Sequence, residues 1–372
     1  MKIAFDHQTF THQSYGGISR YYSILANELF SSENDVKIFA GIHRNNYLKF
    51  LPDGVISGVG LKKYPSKTGP FFHVVNHIAS QYQISKWKPE LVHETYFSSP
   101  RTLFSSDAAR VTTVYDMIHE IFPSQFSFRD STSKSKRKTL NRVDHIISIS
   151  ESTKRDLINL FDIDEAKISV VHLGVSLDSF KAVINDGLST VNGKPFLLYV
   201  GSRFGYKNFD GLLKAVASSA KLKSSFDIVA FGGGGFNSEE LALIRSLGFS
   251  GSQVRQCSGS DQELAGLYGR AAAFVYPSLY EGFGLPPLEA MASGCPVVTS
   301  NTSSMPEVVR DAGVYFNPNE IEDMRFAIER VVFSPSVRSD LVLAGFENIK
   351  SFSWNKCAAE TLTVYKKVLG NS

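Results

Sequence analysis

A short apolar run followed by a helical pattern, repeated along the chain, is the feature that most restricts how this sequence can fold. Strand-like runs occur at residues 2–6, 36–40, 91–94, 111–115, 145–149 and 168–171. Helical stretches separate them. Gly16-Gly17 opens one helix over 18–30, and Ser150 or Ser152 caps another that runs through Leu160. Apolar strands alternating with helices predict parallel sheets covered on both faces. The series breaks at residues 176–195, a polar stretch containing Asn185-Asp186-Gly187 and Gly193-Lys194-Pro195, which reads as an interdomain linker. A second series follows, with strands at 196–200, 226–231, 273–276 and 296–299, and residues 320–369 read as mainly helical. At 372 residues the chain exceeds what one hydrophobic core usually holds. The expected fold is therefore α/β, with two Rossmann-like doubly wound domains facing a cleft. Residues 1–178 and 179–352 form the domains, and a helix in 353–372 returns to the first. Ligands of such sheets sit beyond the carboxyl ends of the strands.

Composition narrows the function classes. Net charge is only +3, with 20% charged and 43% hydrophobic residues, which suits an enzyme and argues against a nucleic-acid partner. The three cysteines, Cys257, Cys295 and Cys357, form no C-x-x-C pair and are expected to be reduced thiols in the cytoplasm. The sequence after Met1 turns polar within a few residues, so no signal peptide is expected, and no run approaches the length of a membrane span. Residues 129–142 carry Arg129, Lys134, Lys136, Arg137, Lys138 and Arg142 against Asp130 alone. That run is either a solvated face or a peripheral contact with anionic membrane lipid.

The densest chemical signal lies at residues 276–299. A buried strand ends at Pro277, Gly282 and Gly284 follow, and a helix starts near Pro286. Proline suits a first helical turn because its missing N–H would be unpaired there. Free N–H groups at that turn, with backbone bared by glycine, make a site for phosphate oxygens. Glu281 precedes the turn and Glu289 lies on the first turns of the helix. Carboxylates suit the binding of sugar hydroxyls, since each accepts several hydrogen bonds. Two glutamates alone would more often be a helix cap and a solvated charge; the glycine and proline context favours the binding role. Arg203 and Lys207 follow the first strand of the second domain, where two cations can neutralise a departing diphosphate as magnesium would.

The segment E-G-F-G-L-P-P-L-E-A-M-A-S-G-C-P-V-V resembles the Glu-x7-Glu motif of retaining glycosyltransferases of the GT-B type, family four. The stretches Gly16-Gly17-Ile18-Ser19-Arg20-Tyr21, Tyr115-Asp116-Met117-Ile118-His119, His172-Leu173-Gly174-Val175 and Tyr199-Val200-Gly201-Ser202-Arg203 with Tyr206-Lys207-Asn208 resemble the same family. The resemblance covers nearly the whole chain and looks like bacterial transferases that build O-antigen and other surface polysaccharides. It implies a nucleotide diphosphate sugar donor, GDP-mannose or a related GDP-deoxysugar, and a glycan or lipid-linked acceptor. It also implies retention of anomeric configuration and neither metal nor cofactor. By the same resemblance Arg203 and Lys207 hold the diphosphate, Glu281 the hexose and Glu289 the ribose. His119 stands beside the donor sugar, contacting it through its imidazole or its carbonyl. Gly17 approaches the phosphates, and Phe283, Gly284 and Leu285 form the donor-binding turn. Ser258 and Gly259 grip the base, with Cys257 standing where the family commonly has glycine.

Other signals carry less. Asp162-Ile163-Asp164 has the D-x-D form of metal-dependent transferases but sits in a polar loop remote from the other motifs. His73 and His77, four apart on an expected helix, lack an evident third ligand. The turn at Gly232–Gly235 fails the dinucleotide fingerprint because position 237 is Asn. Rival functions are a UDP-sugar transferase, a nucleotide-sugar epimerase, a phosphorylase and a non-catalytic nucleotide-sugar binder. A glycoside hydrolase is a poorer fit, because its two carboxylates flank the substrate from opposite sides.

Overall fold

The computed structural model describes residues 1–97, 104, 107–176 and 194–370. The chain forms two compact units, Met1–Gly174 with Trp354–Ser372, and Val175–Ser353. The expected boundary at 178/179, Asn185-Asp186-Gly187 and Gly193 lie outside the described residues.

The first unit contains β1 (Lys2–Phe5), β2 (Asp35–His43), β3 (Ile56–Gly60), β4 (Leu91–Glu94), β5 (Ala109–Val114), β6 (His145–Ser148) and β7 (Ile168–Val170). They make one sheet in the order β3-β2-β1-β4-β5-β6-β7. Every pair is parallel, with Ile3 of β1 opposite Val36 on one side and Leu91 on the other. The second unit contains β8 (Phe196–Val200), β9 (Asp227–Phe231), β10 (Val254–Cys257), β11 (Ala273–Tyr276), β12 (Val297–Ser300) and β13 (Gly313–Phe316). Their order is β10-β9-β8-β11-β12-β13, again all parallel. Both units are thus Rossmann-like α/β sheets. Winding reverses between β1 and β4 in the first and between β8 and β11 in the second, and these switch points are where such sheets take ligands.

The central strands coincide with the apolar runs to within a few residues at each end. Strands β3, β10 and β13 are additions to the sequence reading, and each lies at a sheet edge. Of the two expected caps, Ser150 takes the role: its hydroxyl accepts the Thr153 N–H at 3.0 Å, while Ser152 is buried in the first turn. The second core gathers Leu197, Tyr199, Leu212, Phe226, Ile228 and Val275, all close to fully buried. The first centres on a mixed cluster. His93 of β4 is fully buried, with Nδ1 2.5 Å from the Tyr365 hydroxyl and Nε2 2.9 Å from Thr113 Oγ1. Tyr365 belongs to the Trp354–Val368 helix, which packs on the Gly17–Ser31 helix. Trp354 meets Tyr21 there, and Asn355 donates to Glu28 Oε2 at 2.9 Å.

Candidate active site

In the second unit, two adjacent parallel strands deliver the main residues. β8 ends at Val200 and β11 at Tyr276, so the loops that follow them emerge side by side at the switch point. Their backbones join where the Leu279 N–H donates to the Tyr206 carbonyl at 2.8 Å. That contact brings together two residues 74 apart in sequence: Lys207 Nζ donates to Glu281 Oε1 at 2.6 Å and Oε2 at 2.9 Å. The side chains are 16% and 10% exposed, so the charges are shielded yet reachable. The ammonium also lies near the Tyr206 and Tyr276 rings, which suits a cation. Burial, with the Glu281 charge adding, raises the Tyr276 phenol well above its usual range and keeps it neutral.

The turn after Glu281 is held from behind. The Glu281 N–H donates to Ser303 Oγ at 2.9 Å, and Ser304 Oγ lies 2.9 and 2.7 Å from the carbonyls of Glu281 and Phe283. Gly284 adopts φ 114°, a conformation that favours glycine, and a Cβ there would also meet the Met305 Cε methyl at 2.5 Å and push that side chain aside. Leu285 begins the helix Leu285–Ala292, with no side chain capping it. Pro286 and Pro287 remove two of the N–H groups usual at a first turn, which concentrates the open donors on the backbone around Gly284 and Leu285. Glu289 lies one turn on. The Tyr268 hydroxyl, kept protonated by burial and by the Glu289 charge, points to its Oε2 at 3.5 Å.

Arg203 is placed differently from Lys207. Its Nε donates to Glu240 Oε1 at 2.6 Å, Nη1 to the Gly232 carbonyl, and Nη2 to the carbonyls of Gly234 and Gly235. The side chain is only 4% exposed, so the guanidinium braces the turn after β9. An open pocket of about 710 Å³ lies beside it, lined by Ser202, Gly205, Gly233, Asn237 and Glu240 among others. Ser258 and Gly259 are exposed and follow β10. Gln256 Nε2 donates to Ser258 Oγ at 2.8 Å, and Ser260 caps the next helix in a capping box with Glu263.

His119 and Gly17 belong to the first unit. Gly17 opens its helix after an uncapped turn. His119 stacks on Phe126, with ring centres 4.0 Å apart, and its Nε2 lies 3.6 Å from Asp130 Oδ2. The loop is fixed by Lys136, whose Nζ donates to the Asp116 carbonyl at 2.9 Å and to Glu120 Oε2 at 2.8 Å. Lys136 is 2% exposed, so one member of the basic run faces inward. Arg142 pairs with Glu94, and Arg137 donates to the Leu160 carbonyl. Sequence reasoning missed Glu240, Ser303, Ser304 and Lys136 as supporting residues, because their partners lie far away in sequence.

The discounted signals have structural explanations. Asp162 ends a helix in the left-handed conformation, and Asp164 Oδ1 accepts the Ala166 N–H at 2.9 Å. His73 and His77 meet further imidazoles: His7 lies 5.4 and 5.8 Å from them, and His12 lies 4.7 Å from His73. Among the described residues, no three His, Cys, Asp or Glu side chains are arranged to hold a metal. The three cysteines are free thiols.

Two Rossmann-like sheets, the second with a carboxylate–ammonium pair and an open helix start at its switch point, define a two-domain α/β class of the GT-B type. Comparison with known proteins agrees. Residues 15–179 match the family described as Glycosyltransferase Family 4, and residues 182–347 match Glycosyl transferases group 1. The O-antigen chain mannosyltransferase B of Escherichia coli is 30% identical over 295 residues, 77% of this chain and 76% of that protein. A D-inositol 3-phosphate glycosyltransferase of Nocardioides is 30% identical over 253 residues, 62% of this chain and 55% of that protein. A sucrose-phosphate synthase structure from Thermosynechococcus elongatus superposes over 100% of this chain and 99% of its own, with TM-score 0.78 and 21% identity. This chain belongs to the glycosyltransferases, family 4 type, and has the GT-B fold.

Proposed function

We propose that the chain transfers a hexose from GDP-mannose, or a related GDP-deoxysugar, to a glycan or lipid-linked acceptor in surface-polysaccharide assembly. Transfer retains the anomeric configuration and needs no metal ion. The observation that carries this reading is the Lys207–Glu281 pair at the switch point of the second sheet. Glu281 accepts hydrogen bonds from the hexose hydroxyls. Lys207 and the N–H groups around Gly284 and Leu285 meet the diphosphate as its negative charge grows. Arg203 holds the turn after β9 and reaches the diphosphate by exchanging Glu240 for it. Glu289 takes the ribose, Phe283 shapes the turn, and the backbone at Ser258 and Gly259 takes the base. Family resemblance alone assigns His119 to the sugar and Gly17 to the phosphates.

In the proposed step the bond between the anomeric carbon and the diphosphate oxygen breaks. The acceptor oxygen bonds to the same face of that carbon, and its proton passes to the departing phosphate. The mannose and O-antigen parts rest on what the E. coli relative is named for. A melting-temperature panel of GDP, UDP and ADP and their sugars, each with and without EDTA, tests the donor, because a ligand of the folded form raises the midpoint. GDP and GDP-mannose should raise it equally with EDTA present. Selective stabilisation by UDP species would replace the guanine donor, and loss on chelation would remove the metal-free mechanism. Indifference to all of them would remove the transferase reading. The anomeric proton coupling of the product tests retention.

A further inference from the structure

The 19-residue helix Gly69–Trp87 is turned inside out for a helix in water. Its buried residues are Asn76, His77, Ser80 and Ile84, three of them polar. Its exposed residues include Phe71, Val74, Ile78 and Tyr82, at 65, 58, 44 and 49% exposure. At 3.6 residues per turn these four fall within an arc of about 80°. The inward polarity has a structural cause. Asn76 Oδ1 accepts the Ile42 N–H at 2.8 Å and its Nδ2 donates to the Ile42 carbonyl at 2.7 Å, which pins β2 where its register with β3 shifts. Gly41, at φ 59°, leaves the space that Asn76 occupies. Within the outward stripe Tyr82 meets Phe104, with ring centres 5.6 Å apart, while Phe71, Val74 and Ile78 present an exposed apolar face, and such a face marks a docking surface.

Charge identifies what docks. Residues 54–89 hold five lysines, at 62, 63, 67, 86 and 88, and no Asp or Glu. All five are exposed. Tyr64 stacks on Phe72 with ring centres 4.7 Å apart, which fixes Lys62 and Lys63 beside the first turns of the helix. Lys67 precedes it, and Lys86 and Lys88 stand at its far end, so cations bracket the stripe at both ends. A second copy of the chain on this face would set lysines against lysines, because a twofold interface meets its own patch. Among the described residues no helix is long and apolar enough to cross a membrane.

We propose that the Gly69–Trp87 helix lies flat in the headgroup layer of an anionic bilayer. Phe71, Val74 and Ile78 enter the acyl boundary, and the five lysines rest on the lipid phosphates. The basic run at 129–142 is the weaker candidate, since Lys136 and Arg142 are spent on Glu120 and Glu94 and only Arg129, Lys134, Arg137 and Lys138 remain exposed. This inference stands independently of the donor and the reaction.

The test is co-sedimentation of the full chain with phosphatidylglycerol/phosphatidylethanolamine vesicles and with phosphatidylcholine vesicles. The chain should pellet with the anionic vesicles and stay in the supernatant with the neutral ones. Lys62→Glu/Lys63→Glu/Lys67→Glu should lower the partition on the order of a hundredfold. Phe71→Ser/Ile78→Ser should lower it at least about tenfold. Both should melt as the parent does, because the substituted side chains are exposed. Lys134→Glu/Lys138→Glu should bind as the parent does. The proposal is overturned if the parent fails to pellet with anionic lipid or if the first two variants bind normally. It is also overturned if the parent is a lipid-free dimer that Phe71→Ser/Ile78→Ser dissolves, since the stripe would then join two copies of the chain.

Discussion

Lys207 and Glu281 neutralise each other while mostly shielded from water, so removing either leaves a charge uncompensated. Lys207→Met should lower stability by about 1–3 kcal/mol and reduce turnover by roughly 100- to 1,000-fold. The double variant Lys207→Met/Glu281→Gln should recover most of the lost stability and stay inactive. Denaturant melts and initial rates on the three proteins check this, and an active double variant would show that the pair only supports the fold. Gly284→Ala should cost about 1–3 kcal/mol through its positive φ alone. Met305→Ala should relieve only the steric part, as paired melts would reveal; full rescue would place the whole strain in the Met305 contact. These residues were legible because 281–289 packs glycine, proline and two carboxylates into one segment. Arg203 was less so. Its partners, Glu240 and the carbonyls of the Gly232–Gly235 turn, lie across another strand and helix, and nothing in the local spacing announces them.

At the scale of elements, the strands the sequence reading found are the interior ones, where apolar side chains run nearly uninterrupted, together with one edge strand, β7. Those it missed are edges. β3 carries Ser57, Gly58 and Gly60 with its last three residues exposed, β10 carries Arg255 and Gln256, and β13 is only Gly313–Phe316. An edge strand pairs on one side and faces water on the other, so its composition resembles a loop. The helix around His73 and His77 was expected, but its inverted polarity was not legible for a related reason: Asn76 faces inward because of the β2 backbone it meets. Asn76→Ala should therefore cost about 1–3 kcal/mol by leaving Ile42 backbone groups unpaired. Amide exchange should show faster opening at Ile42, and unchanged protection there would mean that water replaces the side chain without loss.

For the molecule as a whole, all nine histidines precede residue 173, so the second domain has none. Burial drives the His93 imidazole down to about 3 and His145 to about 4, and it lowers His7, His12, His43 and His73 as well. These groups bind protons more readily unfolded than folded. Their stabilising effect is therefore complete above the unfolded value of about 6.5 and drains away as pH falls toward the folded values. Going from pH 7 to pH 5, His93 alone should cost about 2 kcal/mol, and the first domain's midpoint should fall by roughly 4–8 °C. The second domain should hardly respond. Calorimetry at the two pH values resolves this, and equal shifts in both transitions would contradict it; His93→Asn should flatten the first domain's slope.

The helix Trp354–Val368 brings Tyr365 to His93 and Trp354 to Tyr21, yet the whole of the second domain is encoded between Gly174 and Trp354. On a ribosome adding about 5–20 residues per second, the opening half of the polypeptide waits roughly ten to forty seconds for its closing piece. During that interval its tyrosine- and histidine-lined seam is bare. Assembly of the first domain is gated by the codons of Trp354–Val368, and a nascent chain that stalls before them presents to chaperones and proteases a domain that cannot yet shut.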